Sequence, residues 1–286
     1  MALSEPQPVE GQQVDLQAVI DGLDEDFGPM PWEPLCKAIR SGDMQTVREG
    51  CFELRNKMTI PPKREAILCG SPDMLELLLQ RDGFIDEDLV QTACDQRDRP
   101  SLRLLLDFGW PINHLIGGVC PLCSAIEDIT FMQWLTENGA DVNLRTRNDE
   151  TALSSAIAYG NIDVVHFLLN HGTDLSRGDL VHCAAQRINE VEGASLIDVL
   201  AQNGADMNAH RYNNDTALRW RALFKSGTPL HIACERRSVL VARTLLKYGA
   251  DPHQKMLEAQ KLVPPTPHEM AMESNDEDLM SLFATD

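Results

Sequence analysis

One pattern returns along this chain and limits what it can fold into. Two leucines or a close variant, a short polar link, a glycine and an Ala-Asp pair or its substitute come back six times. They read LLLQRDGFID at 77–86, LLLDFGWPIN at 104–113 and WLTENGADVN at 134–143, then FLLNHGTDLS at 167–176, VLAQNGADMN at 199–208 and TLLKYGADPH at 244–253. The glycines are Gly83, Gly109, Gly139, Gly172, Gly204 and Gly249, spaced by 26, 30, 33, 32 and 45 residues. A segment this short cannot bury an apolar face alone, so the units have to stack on one another. A second pattern falls between the first: CPLCSA (120–125), TALSSA (151–156), LVHCAA (180–185), TPLHIA (228–233) and TPHEMA (266–271). Ala125, Ala156, Ala184, Ala233 and Ala271 are its small anchors, and Ala38, Ala66 and Ala93 are weaker matches.

Residues 151–176 show the physics of one unit. Thr151 can cap a helix through its hydroxyl. Leu153, Ala156 and Ile157 share one face of that helix, and the small Ala156 lets a neighbour approach. Gly160-Asn161 ends it and begins a second helix, for which Ile162, Val165, Leu168 and Leu169 supply the apolar stripe. Gly172 provides the left-handed turn that stops it. A polar hairpin leads to the next unit.

These residues resemble the ankyrin repeat, whose T-P-L-H-x-A signature recurs about every 33 residues. TPLHIACERRSVLVARTLLKYGADP follows that pattern over a full unit. The resemblance covers residues 33–283, about eight units in our count. It implies an all-α solenoid of stacked helix-turn-helix units joined by β-hairpin-like loops. The match is close for the fourth to seventh units. In the first three, Glu33, Pro61-Pro62 or Asp88 stand where the threonine belongs. Residues 1–32 read as an acidic tail or as a cap over the first unit. An insertion at 209–227 accounts for the 45-residue spacing and reads as an elongated loop.

The 286 residues carry a formal charge of −19. A field of that sign repels phosphate, so neither nucleic acid nor an anionic membrane is an expected partner. No apolar run approaches the roughly 18 residues of a spanning helix, and MALSEPQPVEGQQ has no secretory pattern. The expected location is cytoplasmic or nuclear, not secreted, with the eight cysteines reduced and no disulfide. Cys120-x-x-Cys123 lacks the second pair that a zinc site needs, so no metal is expected. No nucleophile elbow, zincin helix or phosphate loop occurs. The chain therefore reads as a non-enzyme without a cofactor.

In proteins that this chain resembles, the partner meets the hairpin tips and the two residues after the Ala-x box. The resemblance thus implies a contact surface made of Arg145, Arg147, Asn148 and Glu150 at one tip, with Ala158 and Tyr159 on the helix behind it. Neighbouring helices add Glu127, Asp128, Gln186, Arg187, Glu235 and Arg236. Tyr159 is the leading candidate, because an aromatic with few rotors binds at low entropy cost. In the insertion, Arg219, Trp220 and Arg221 either join this surface or pack against the seventh unit. Asn143 and Asn208 resemble sites of asparaginyl hydroxylation, against the alternative that they only satisfy hairpin backbone groups. The expected function is a non-catalytic adaptor that binds another protein through the concave face and hairpin tips. Two alternatives are a regulatory or inhibitory subunit masking a basic protein or enzyme, and an acidic transcriptional coregulator suggested by DGLDEDF (21–27).

Overall fold

The computed structural model describes residues 30–52, 59–212 and 224–284. Most of the 1–32 tail and the 213–223 part of the insertion, with Arg219, Trp220 and Arg221, lie outside the described residues. The chain divides into two compact units, Met1–Phe84 and Ile85–Asp286.

Among its described residues the first unit contains two helix pairs, α1 (Glu33–Ser41) with α2 (Met44–Gly50) and α3 (Ile60–Leu68) with α4 (Pro72–Asp82). A proline in the first turn of α1, α3 and α4 costs nothing there, because that N–H has no helical partner. Leu35, Ile39, Val47, Ile67, Leu75, Leu78 and Leu79 form the core. Lys63 is buried among them. Its Nζ donates to Asp82 Oδ1 at 2.5 Å and to the Phe84 carbonyl at 2.7 Å, and the Thr59 hydroxyl donates to Asp82 Oδ2.

Among its described residues the second unit contains six helix pairs. They are α5 (Glu87–Asp95) with α6 (Arg99–Asp107), then a 3₁₀ turn (Pro121–Ala125) with α7 (Ile129–Glu137). Next come α8 (Ala152–Tyr159) with α9 (Ile162–Asn170) and α10 (Leu180–Gln186) with α11 (Glu190–Gln202). The last are α12 (Pro229–Glu235) with α13 (Val239–Lys247) and α14 (Pro267–Glu273) with α15 (Glu277–Ser281). First helices pack on first helices, α8 on α10 and α10 on α12. The anchoring alanines allow this approach: Ala125, Ala156, Ala184, Ala233 and Ala271 are fully buried.

Local chemistry sets the helix ends. Thr151 accepts from the Ser154 N–H while Ser154 Oγ accepts from the Thr151 N–H, a reciprocal capping box. Thr228 with His231 and Thr266 with Glu269 repeat it. In the 3₁₀ unit Cys120 and Cys123 occupy the same two positions and are joined as a disulfide. This corrects the expectation of a chain without disulfides. Positions that exchange hydrogen bonds in other units aim their side chains at each other here too, with the Cα atoms 5.5 Å apart. In the third unit the cap is Asp86, which accepts from the Leu89 N–H, rather than Asp88. Gly172 ends the α9 segment at φ 74°, and the other five anchoring glycines share its left-handed backbone. Of the expected α9 stripe, Val165 and Leu168 are buried, but Ile162 is exposed and Val164 takes its place.

A two-stranded antiparallel hairpin, β1 (Met256–Glu258) with β2 (Lys261–Val263), follows α13. Among the described residues the other bridges are isolated single ones, such as Arg145 with Thr151. Asparagines tie successive turns together. Asn143 Nδ2 donates to the Gly172 carbonyl (3.2 Å) and its Oδ1 accepts from the Asp174 N–H (2.7 Å). Asn113 does the same to Gly139 and Asp141, and Asn208 to Gly249 and Asp251.

Candidate functional site

Two open grooves meet at the α8–α10 packing in the second unit. The first, of about 450 Å³, lies between the 148–150 turn and the exposed faces of α8 and α10. Asn148, Glu150, Ala158, Tyr159, Gln186 and Arg187 line it, together with Ile188 and Asn189. The turn is held in place: Arg145 pairs with Asp149 at 3.3 Å, and Asp149 accepts the Gly178 N–H of the next unit at 3.0 Å. Tyr159 ends α8 and is 79% exposed. Gly160 follows it because a Cβ there would lie 2.6 Å from the Ile126 carbonyl oxygen. That close approach lets the Asn161 N–H reach the same oxygen at 2.9 Å.

Arg187 separates the two grooves as a strut. Its guanidinium donates to the carbonyls of Ile157 (2.6 Å) and Gly160 (2.9 Å), more weakly to that of Ala156, and to Glu192 Oε2 (2.8 Å). It thus satisfies the carbonyls of Ile157 and Gly160 at the end of α8, whereas that of Ala156 already accepts the Gly160 N–H. The second groove, of about 650 Å³, lies beyond it, between the first turns of α9 and α11. Val165 and Leu196 form its floor, and Tyr159, Ile162, Val191, Glu127 and Glu192 form its walls.

The structure disperses the other residues singled out by sequence. Arg147 is exposed at the tip without lining either groove. Asp128 caps α7 through the N–H groups of Thr130 and Phe131 and pairs with Arg97 at 3.2 Å. The Phe131 N–H and the Thr130 side chain hold its carboxyl below the usual range. Glu235 and Arg236 end α12 outside both grooves, and Arg236 donates to the Arg187 carbonyl. Asn143 and Asn208 spend both side-chain atoms on the turn ladder described above.

Sequence reasoning missed Ile188, 92% exposed, and Val191, 68% exposed. The signal was present. QRINEVEG places two aliphatic residues, one in the α10–α11 connection and one in the first turn of α11, among polar and charged neighbours.

Cys183 also lines the first groove. Burial pushes the Cys183 thiol up to about 12, so it carries no thiolate at neutral pH. Burial likewise holds His182 at about 3 and His231 at about 4. Their Nε2 atoms donate to the carbonyls of Gly227 and Pro265 as neutral imidazoles. Among the described residues no cluster of three or more His, Cys, Asp or Glu could hold a metal ion. No described helix is long and apolar enough to cross a membrane.

Comparison with known proteins agrees with this architecture. The family profile described as ankyrin repeats (3 copies) matches residues 89–179 and 122–211, and that of a single ankyrin repeat matches 227–256. Together they cover more than half of the chain. The B-cell lymphoma 3 protein homolog of Mus musculus is 26% identical over 210 residues, which is 70% of this chain and 38% of that protein. The mitochondrial disaggregase of Bos taurus is 36% identical over 121 residues, 42% of this chain and 17% of that one. The chain therefore spans well under half the length of either relative. The ankyrin repeat domain of human ASB11 aligns with a TM-score of 0.49 at 22% identity, covering 66% of this chain and 79% of that structure.

Proposed function

Since this chain belongs to the ankyrin-repeat family, we propose that it is a non-catalytic adaptor that grips another protein in the first groove. Ankyrin repeats generally mediate protein–protein interaction, which supports the class of function. One observation carries the placement. Tyr159 and Ile188 stand exposed at the wall of an open groove whose opposite edge, the 148–150 turn, is pinned to the next unit by Asp149. An aromatic anchor beside a fixed polar edge is the combination that interfaces use for affinity and register.

A photo-reactive residue at Ala158, which lines only this groove, tests the proposal in cells. Cross-linking to a second protein from position 158, and not from the exposed His166 on α9, is the expected result. Equal yields from both positions would remove the placement. A second reading, a subunit that masks a basic protein, is favoured by the −19 charge, which speeds encounter with cationic partners.

A further inference from the structure

We propose that the second groove is a separate docking site for a cationic protein segment carrying one aliphatic or aromatic anchor. The apolar half of the argument is exposure. Tyr159, Ile162 and Val191 are all open to solvent around a floor of Val165 and Leu196. Single exposed apolar residues are ordinary, but several converging on one concavity of about 650 Å³ mark a binding surface.

Charge decides what fills it. Glu127 and Glu192 rim the groove, and Asp163 and Glu190 flank Ile162 and Val191 in the first turns of α9 and α11. Asp163 and Glu190 also complement the positive ends of their helices. Glu127 has no such role, since the cap of α7 is its neighbour Asp128. No ion pair among the described residues engages Glu127, Asp163 or Glu190. Among the described residues at the groove wall Arg187 is the one cation, and three carbonyls and Glu192 occupy its guanidinium. Among the described residues, Arg187 offsets Glu192 alone, and Glu127, Asp163 and Glu190 leave the surroundings of the apolar centre acidic. Lys or Arg flanking a hydrophobic anchor is the complement of that surface. An anionic lipid headgroup is not.

This site extends the adaptor reading without resting on the first groove. Val191, Ile162 and Glu127 line only the second groove, whereas Ala158, Gln186 and Asn148 line only the first. Failure at one leaves the other standing. The test is selection of short random peptides displayed on phage against the full chain. The expected winners carry Lys or Arg around a large apolar residue and bind less tightly as salt rises. They lose at least about tenfold in affinity for Val191→Asp, a surface change that spares the core, and for Glu127→Lys combined with Glu190→Lys. Far-ultraviolet circular dichroism checks that both variants stay folded. Acidic winners, winners indifferent to both variants, or no winners would overturn the proposal. So would a concentration-dependent dimer that Val191→Asp abolishes, because the occupant would then be a second copy of this chain.

Discussion

His182 and His231 carry a measurable cost in acid. Burial lowers their values to about 3 and about 4, whereas an imidazole in the unfolded chain titrates near about 6.5. Between those limits the unfolded state binds more protons than the folded one, so stability falls as pH falls. The contribution is complete above about 6.5 and levels off below the folded values. At pH 5 each histidine costs up to about 2 kcal/mol relative to pH 8. The urea midpoint of the native chain should therefore drop between pH 7 and pH 5, and that slope should flatten in His182→Gln with His231→Gln. Lys63 yields a second prediction. Replacing it with methionine leaves the buried Asp82 uncompensated and should cost about 3–5 kcal/mol in urea unfolding. The two cases differ in how far sequence could see them. His231 sits in the T-P-L-H box that the sequence displays. Lys63 finds Asp82 nineteen residues further on, and no periodicity marks a lysine as core.

Helix ends follow the same logic one level up. Between the two helices of a unit, Gly42 and Gly70 take a left-handed backbone at φ 75° and 60°, and Arg97, Arg237 and Asn275 do so at 50°, 55° and 56°. A side chain there is strained, by roughly 1–2 kcal/mol. Arg237→Gly should thus raise the thermal midpoint, with a gain of up to about 1 kcal/mol after the entropy cost of glycine. Leu168→Ala on α9, buried against its neighbours, should lower stability by about 2–5 kcal/mol. The glycine and alanine anchors were legible because one residue type serves one geometry there, whereas the turn between paired helices takes Gly, Arg or Asn alike. The α9 stripe was only partly legible. Ile162 fits the helical spacing, but it faces the groove rather than a neighbouring helix, and spacing alone does not say which face is covered. The Cys120–Cys123 disulfide was missed for a related reason. The box positions were identified, but the mutual aim of their side chains was not drawn from them.

Across the whole molecule, a net charge of −19 works against compaction. Raising ionic strength from about 0.01 M to 0.15 M shortens the screening length from roughly 30 Å to 8 Å. The urea midpoint should rise over that range. A fall would mean that surface pairs such as Arg40 with Glu65 outweigh the repulsion. At this scale the repeat pattern revealed the stacking of helix pairs but not the division after Phe84, since Gly83 closes α4 as the other anchors close their helices. The groove around Arg187 was half legible: Tyr159 and Gln186 follow from the family pattern, while Ile188 in the α10–α11 connection and Val191 in the first turn of α11 fall outside it. The asparagine ladder has one more consequence. Asn143 reaches a glycine 29 residues ahead and Asn208 one 41 residues ahead, with the same two hydrogen bonds. The joint is indifferent to how much chain lies between its halves. Evolution or an engineer can lengthen, shorten or exchange the segment spliced in after Asn208 while the units on either side keep their alignment.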